Sequence, residues 1–270
     1  MKQEILTVIE NRCIAKNTWR MDLRRKADGE DSVGGILPGQ SVERKTEGEI
    51  EDSAADILPG QFIDLRLEGL FLRRPISVCD AEKDRLTIIY KVVGQGTEWL
   101  SGLREGAELD ALTGLGNGYD LSKAGESPLL LGGGVGVPPL YFLAKRLRES
   151  GKRVTAVLGF NTAEEAFLAE DFRALGCETV VTTADGSLGR KGFVTDALPE
   201  EYSYFYTCGP QPMLRAVYNR TATDGQFSLE ERMGCGFGAC MGCSCKTKTG
   251  WKRICREGPV LEKEEIQWED

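Results

Sequence analysis

Apolar and polar residues alternate in short runs through the first third of the chain. The alternation predicts β-strands at 3–9, 19–24, 62–67, 74–79 and 85–93, with Gly and Pro residues between them. One short helix is expected at 96–103. Short strands at this spacing are typical of an antiparallel barrel or sandwich. We therefore expect an antiparallel β-barrel at the start of the chain.

The pattern changes in the middle third, where short apolar runs alternate with helical periodicity. Strands are predicted at 129–131, 154–159, 178–183 and 203–207, and helices at 138–150, 164–175 and 210–221. Strands that alternate with helices indicate βαβ units, and these predict a Rossmann-like parallel α/β domain. The last 45 or so residues, which carry most of the cysteines, are expected to be mostly loop.

These patterns divide the 270 residues into three predicted domains: 1–122, 123–224 and 225–270. A short internal repeat lies inside the first domain, where the sequence of residues 36–40 recurs at 57–61. Only the second copy runs into a predicted strand. Two copies are too few for a solenoid, so we interpret the repeat as a local duplication. Residues 27–50 are then expected to form an exposed loop insertion.

Composition excludes several classes of function. The chain has 34 basic and 42 acidic residues, so a nucleic-acid partner is not expected. It has no histidine, which excludes Ser-His-Asp hydrolysis, His-ligated zinc catalysis, His-ligated haem and Rieske clusters. No apolar run reaches 18 residues and the N-terminus does not resemble a signal peptide, so we expect a cytoplasmic protein without a membrane span.

Five of the nine cysteines crowd into the C-terminal region, which points to metal or redox chemistry in a cytoplasmic chain. The spacing C-x4-C-x2-C, with a further cysteine downstream, is that of plant-type [2Fe–2S] ligands. It predicts Cys235, Cys240, Cys243 and Cys255 as the four ligands and leaves Cys245 spare. A structural zinc site and a disulfide knot are the alternatives, although zinc sites favour paired C-x2-C motifs.

A glycine-rich loop follows the predicted strand 129–131. Its glycines are Gly132, Gly133, Gly134 and Gly136, and a helix comes next. A strand, loop and helix in this order can place a phosphate at the start of the helix. The loop is not a clean G-x-G-x-x-G, and an acidic ribose partner about 20 residues further on is missing. A tight structural turn is therefore the alternative.

Three further motifs are typical of nucleotide or flavin sites. Arg74 and Ser77 supply a guanidinium and a hydroxyl that suit a pyrophosphate and a flavin edge, although a solvated strand end would look the same. Gly96 and Thr97 open the short helix and form a candidate anion site. Cys208 is followed by Gly209 and Pro210 at the end of a predicted strand, where parallel sheets bind ligands; it could equally be a small core residue.

In this order the motifs resemble the ferredoxin–NADP reductase superfamily and, within it, the electron transfer subunits of type B dihydroorotate dehydrogenase. The resemblance covers nearly the whole chain except the duplicated segment. It is carried by residues 72–77, 88–91, 131–140 and 231–236, and by Gly258, Pro259 and Val260 shortly after Cys255.

The resemblance implies an FAD-binding barrel, an NAD-binding α/β domain and a small [2Fe–2S] domain at the C-terminus. The residues that it implies for FAD are Arg74, Pro75, Ile76, Ser77, Ile89, Tyr90, Lys91, Gly96 and Thr97. The glycine loop, with Gly209 and Pro210, would line the NAD(H) site, and Cys208 would pack beside the nicotinamide ring as the catalytic residue. The implied partner is an FMN-containing catalytic subunit, in a heterotetramer with two copies of each chain.

The implied function is electron transfer from dihydroorotate, through the partner's FMN, the cluster and FAD, to NAD⁺ in pyrimidine biosynthesis. A flavin belongs between the other two centres because it exchanges either one or two electrons. NAD is favoured over NADP, because residues 160–165 contain no Arg to meet a 2′-phosphate. One alternative is a subunit of an NADPH-linked ferredoxin or sulfur reductase. The other is a zinc-stabilised module without a nucleotide site.

Overall fold

The computed structural model describes residues 1–25 and 57–268. The predicted loop insertion and the first copy of the repeat lie outside these residues. The second copy is described from Ile57, which is buried, and the chain enters a strand directly after Gln61. Among the helices of the described residues, none has the length and apolarity needed to cross a bilayer.

Six antiparallel strands close into the predicted barrel. They are β1 (Lys2–Ala15), β2 (Thr18–Arg25), β3 (Phe62–Leu65), β4 (Arg74–Ala81), β5 (Arg85–Lys91) and β6 (Glu108–Leu115). Their order around the barrel is β1-β2-β5-β4-β3-β6. One helix, α1 (Gln95–Ser101), lies between β5 and β6.

Successive residues of β3 face opposite sides of the barrel wall, and all four are buried. Ile63 and Leu65 pack in the apolar core of the barrel. Phe62 instead joins a second apolar cluster that also contains Cys243 and Cys255. The outer face of β3 is therefore covered by the C-terminal part of the chain.

The second half of the chain forms a seven-stranded sheet, in which the parallel arrangement and four of the strands are expected from the βαβ pattern. Its strands are β7 (Leu129–Gly133), β8 (Thr155–Phe160), β9 (Glu178–Thr183), β10 (Arg190–Lys191), β11 (Phe205–Cys208), β12 (Gly225–Ser228) and β15 (Val260–Glu262). The order is β10-β9-β8-β7-β11-β12-β15, and only β15 runs antiparallel to its neighbour. The helices are α2 (Val137–Glu149), α3 (Ala169–Ala174) and α4 (Gln211–Arg220).

One prediction about secondary structure is wrong in part. The helix expected at 164–175 is reduced to α3, because Leu168 adopts a left-handed backbone with φ 62° and stops a helix from forming before Ala169. Phe167 and Leu168 are both buried, so packing determines this break rather than helix propensity.

The C-terminal residues, expected to be mostly loop, contribute β12, β15 and the hairpin of β13 (Ser244–Thr247) and β14 (Gly250–Arg253). We call residues 229–259, between β12 and β15, the cysteine lobe. Because β12 and β15 both belong to the parallel sheet, the second and third predicted domains share that sheet.

Candidate functional site

The glycine loop and the Cys208-Gly209-Pro210 turn meet at one edge of the parallel sheet. β7 and β11 are neighbours, and Cys208 lies opposite Gly132 in their register. The chain order reverses between these two strands, which is where open α/β sheets bind ligands. A Cβ atom on Gly136 would lie under 3.0 Å from the carbonyl oxygen of Cys208. Glycine is therefore required for the two segments to approach this closely.

Met213 on α4 packs against both the glycine loop and the Cys208-Gly209-Pro210 turn. A Cβ atom on Gly133 or on Gly209 would lie under 3.0 Å from the thioether of Met213. Gly134 has φ +52°, and a Cβ atom there would meet nothing within 4 Å. The loop is thus packed tightly on one side and faces open space at Gly134, where a ligand has room to approach the backbone.

Cys208 is half-buried at the mouth of this crevice. Burial is the main influence and raises the pKa of its thiol to about 12, although a hydrogen bond with Ser228 acts in the opposite direction. The side chain is therefore a neutral thiol near pH 7 and not a nucleophilic thiolate. It suits apolar contact with a flat ring.

Arg74 brings β4 together with the start of α1. Its Nε lies under 3.0 Å from the position that a Cβ atom on Gly96 would take, so the guanidinium crosses directly over this glycine. Thr97 Oγ1 accepts hydrogen bonds from the backbone N–H groups of Val93 (3.0 Å) and Gly94 (3.3 Å). The structure thus brings Arg74, Gly96 and Thr97 into one group.

The other residues implied for a flavin lie on β4 and β5. Pro75 and Ser77 on β4 pair with Asp64 and Phe62 on the neighbouring strand β3. Ile76 packs toward the barrel core. Ile89 packs against the parallel sheet domain. The Tyr90 side chain points into the barrel, and its hydroxyl donates to Asn11 Oδ1 (3.0 Å). The part of Tyr90 left to contact a flavin is therefore its backbone. Lys91 lies 3.5 Å from a carboxylate oxygen of Glu165.

The four predicted cysteine ligands form two pairs. Cys243 and Cys255 are each 2% exposed, and the Cys255 backbone N–H donates to Cys243 Sγ (3.4 Å). Cys235 and Cys240 form the outer pair, in which the Cys240 N–H donates to Cys235 Sγ (3.4 Å). Two pairs of thiols are what a two-iron cluster requires, since each iron takes two thiolates.

The backbone of the cysteine lobe favours a thiolate at Cys235. Burial, the largest influence, would raise the pKa of this thiol, but hydrogen bonds with the backbone of Cys240, Phe237 and Ala239 lower it to about 6. The thiolate is the form that binds iron. Within residues 1–25 and 57–268, no three His, Cys, Asp or Glu side chains converge on a position for a single metal ion.

Cys245 lies on β13, the first strand of the hairpin, two residues after Cys243. It is half-buried and faces Lys252 across the hairpin register. Burial raises the pKa of its thiol. This position is consistent with a cysteine that packs rather than ligates.

Asn117, just after β6, links the barrel to Val260 of β15, the residue directly after the cysteine lobe. Its side-chain amide donates to the carbonyl of Val260 (2.7 Å) and accepts from the N–H of Val260 (3.1 Å). A Cβ atom on the preceding Gly116 would lie under 3.0 Å from Pro259. The lobe is therefore held between the barrel and the parallel sheet.

Comparison with known proteins identifies this arrangement. Residues 230–267 match the family model described as the iron-sulfur cluster binding domain of dihydroorotate dehydrogenase B. The electron transfer subunit of dihydroorotate dehydrogenase B (NAD(+)) from Fusobacterium nucleatum is 40% identical, over 100% of both chains. The corresponding subunit from Lysinibacillus sphaericus is 46% identical over 97% of this chain and 98% of that protein. The chain belongs to the family of dihydroorotate dehydrogenase B electron transfer subunits.

Solved structures agree with the fold of this family. An NADH-dependent reduced ferredoxin-NADP oxidoreductase, studied for flavin-based electron bifurcation, is 27% identical. It aligns with a TM-score of 0.78 over 97% of this chain and 90% of that chain. The flavohemoglobin-like FAD/NAD-binding domain of a Vibrio cholerae nitric oxide dioxygenase is 22% identical, with a TM-score of 0.60 over 80% of this chain and 91% of that chain, and shares the fold.

Asp64 is not among the site residues expected from the sequence, although the structure places it between β4, which carries Arg74 to Ser77, and the cysteine lobe. A Cβ atom on Gly236 would lie under 3.0 Å from Asp64 Oδ2. The available signal was a single carboxylate in the otherwise apolar strand 62–65. Asn117 was missed as well, because its partner Val260 lies far away in the sequence.

Proposed function

We propose that this chain carries electrons between a dihydroorotate-oxidising catalytic subunit and NAD⁺, in the biosynthesis of pyrimidines. The observation that carries the proposal is the packing of the cysteine lobe on β3, the strand that pairs with the R-P-I-S motif of β4. A one-electron site is thereby adjacent to a flavin-type site. The names of the full-length relatives support the same assignment.

FAD would supply the exchange of hydride with NAD(H) and of single electrons with an iron–sulfur cluster. Arg74, Gly96 and Thr97 would hold its pyrophosphate, because a guanidinium lies there beside the backbone of a tight turn. Pro75, Ile76 and Ser77 would border the ring system. Ile89, Tyr90 and Lys91 would line the same site, with Tyr90 acting through its backbone.

NAD(H) would bind in the crevice between β7 and β11. The glycine loop from Gly132 to Gly136 would face the pyrophosphate, with Gly209 and Pro210 opposite, and Cys208 would lie against the nicotinamide. Glu164 and Glu165 follow β8 and are paired with Lys16 (2.9 Å) and Lys91. Acidic groups at this position repel a 2′-phosphate, which favours NAD over NADP.

Cys235, Cys240, Cys243 and Cys255 would hold a [2Fe–2S] cluster. The pairing of their thiols and the N–H groups directed at Cys235 and Cys243 support this set over a single zinc ion. Free thiolate ligands also require a reducing compartment, so we place the protein in the cytoplasm.

The catalytic partner would be an FMN-containing subunit, in a heterotetramer with two copies of each chain. We propose that it docks on the cysteine lobe, because one-electron transfer requires proximity. The lobe exposes three large apolar side chains: Phe237 (42% exposed), Met241 (55%) and Trp251 (68%). Exposed apolar groups of this size are typical of protein interfaces.

We propose that residues 1–122, 123–224 and 225–270 form the three functional domains of the chain.

An anaerobic visible spectrum of the purified chain, with assays of iron, sulfide and flavin before and after NADH, tests the proposal. We expect about two irons per flavin and bleaching of both chromophores by NADH. A flavin without iron, even after reconstitution, would refute the cluster. A colourless, zinc-containing protein would refute the whole assignment.

The alternative, a subunit of an NADPH-linked ferredoxin or sulfur reductase, draws support from the likeness to the ferredoxin-NADP oxidoreductase. Copurification distinguishes the two functions. A tagged chain that retains an FMN protein and forms NADH from dihydroorotate and NAD⁺ supports the proposed function. Preference for NADPH without such a partner supports the alternative.

A further inference from the structure

Asp64 is a buried carboxylate in an apolar strand. The side chains of Ile63 and Leu65 beside it pack in the barrel core, and Asp64 itself is 1% exposed. Among the described residues, none donates a hydrogen bond to its Oδ1 atom. Burying a carboxylate oxygen without a hydrogen-bond partner destabilises a protein, so such a group calls for an explanation.

The carboxylate points from the outer face of β3 into the cysteine lobe. Gly236, which would place a Cβ atom under 3.0 Å from Asp64 Oδ2, directly follows Cys235 and has φ +77°. Glycine is needed there both for the backbone angle and for the close approach. Asp64 therefore contacts the backbone next to the first predicted cluster ligand, while Pro75 of the flavin-type motif lies opposite it on β4.

The neighbouring guanidinium groups are directed at other acceptors. Arg73 donates to the backbone carbonyl of Asp64 (3.2 Å) and forms its ion pair with Asp110 (3.0 Å). Arg74 donates to the carbonyl of Leu72 (2.6 Å). Within the described ranges, no Lys or Arg nitrogen forms a salt bridge with the Asp64 carboxylate. Its charge is therefore poorly compensated.

The charge state follows from this environment. Burial raises the pKa of Asp64 to about 6, while the positive charges of Arg73 and Arg74 act in the opposite direction. The group is consequently ionised at pH 8. Asp22 provides a contrast, because its buried carboxylate is paired with Arg20 (3.3 Å) and Arg85 (2.8 Å).

We propose that the negative charge of Asp64 lowers the reduction potential of the cluster in the cysteine lobe. This inference rests on the proposed function. A fixed negative charge in a poorly solvated site disfavours an added electron nearby, and the net charge around an iron–sulfur cluster is one determinant of its potential. A lower potential makes the cluster a better electron donor toward FAD and NAD⁺, which is the direction that dihydroorotate oxidation requires.

An EPR-monitored redox titration of the as-purified protein at pH 8 tests this role. Asp64→Asn keeps the shape of the side chain and removes its charge, so we expect the midpoint potential to rise. At a fixed ambient potential, the ratio of reduced to oxidised cluster should increase at least about fourfold; a tenfold increase would correspond to about 59 mV. Asp80→Asn is the matched control, because the Asp80 carboxylate faces Lys145 (2.9 Å) and should leave the potential unchanged.

The outcomes separate this inference from the proposed function. A wild-type protein without an iron–sulfur EPR signal after reconstitution refutes the proposed function. A normal wild-type signal, with the same potential in wild type and Asp64→Asn, overturns only the role of Asp64. If Asp64→Asn does not retain iron, Asp64→Ser is titrated instead. Loss of iron from both neutral variants but not from Asp64→Glu also overturns the inference, because Asp64 would then act only by holding the lobe.

Discussion

At the scale of single residues, the nucleotide crevice depends on Gly136. Gly136→Ala would force a methyl group against the carbonyl of Cys208. We expect the free energy of unfolding to fall by about 1–3 kcal/mol and the KM for NADH to rise. Gly102→Ala is the control, since its Cβ atom would lie 3.4 Å from the nearest atom, a carbonyl of α1. Thermal unfolding and NADH titration check both variants, and equal effects would contradict the prediction.

Cys208 should affect hydride transfer without acting as a base or nucleophile. Cys208→Ala is expected to impair NADH turnover more than FAD retention, because the thiol lies at the crevice and not on the barrel. With its pKa raised by burial to about 12, no break in rate between pH 7 and pH 9 should arise from it. Steady-state rates and flavin content are the measurements, with buried Cys177→Ala as the control. Equal loss of turnover and flavin would rule out the assigned role.

The buried charge of Asp64 should also appear in stability. A pKa of about 6, against an ordinary value of 3.8, means that the folded protein binds the proton more tightly than the unfolded chain. The ionised group then costs about 3 kcal/mol at pH 8, and the cost declines as the pH falls through 6 toward 4. Asp64→Asn should therefore raise Tm at pH 8 and less so at pH 5.5.

Asp22 supplies the opposite case for that measurement. Burial would raise the pKa of its carboxyl, but hydrogen bonds from Thr87, Arg20 and Arg85 leave it lowered. Asp22→Asn should consequently lower Tm at pH 8.

If Asp64→Asn has a lower Tm than wild type at pH 8, the Asp64 carboxylate is stabilised by a partner and the prediction is wrong. A side chain that lowers stability yet lies beside a redox site is typical of functional residues.

At the scale of secondary-structure elements, the connection between barrel and cysteine lobe depends on Asn117. Asn117→Ala leaves the backbone N–H and C=O of buried Val260 without this partner. The free energy of unfolding should therefore fall by about 1–3 kcal/mol. We expect faster loss of iron to a chelator, with flavin retention unchanged. Asn161→Ala, which removes a hydrogen bond from exposed Asn161 to the half-buried Glu165 carboxylate (2.9 Å), serves as the control. Iron release at the wild-type rate in Asn117→Ala would contradict this account.

The elements that could be predicted from sequence are those determined by local pattern. β7 and α2 follow from an apolar run and a 3.6-residue period, and the cysteine spacing alone indicates the four ligands that we propose. The break at Leu168 and the pairing of β15 with β12 could not be predicted, because both depend on contacts between segments distant in sequence. The contact of Asp64 with Gly236 is of the same kind.

At the scale of the whole molecule, the three sites should be separable by substitution within the cysteine lobe. Cys243→Ser should lose the cluster but keep flavin that NADH reduces, because Cys243 belongs to the cysteine lobe and not to β4 or the glycine loop. NADH formation from dihydroorotate by the assembly with the catalytic subunit should then fall to background. Cys245→Ser, two residues away, should retain iron and activity. Iron content, flavin bleaching and coupled turnover measure these effects; loss of iron in Cys245→Ser would instead make Cys245 a ligand and change the proposed set.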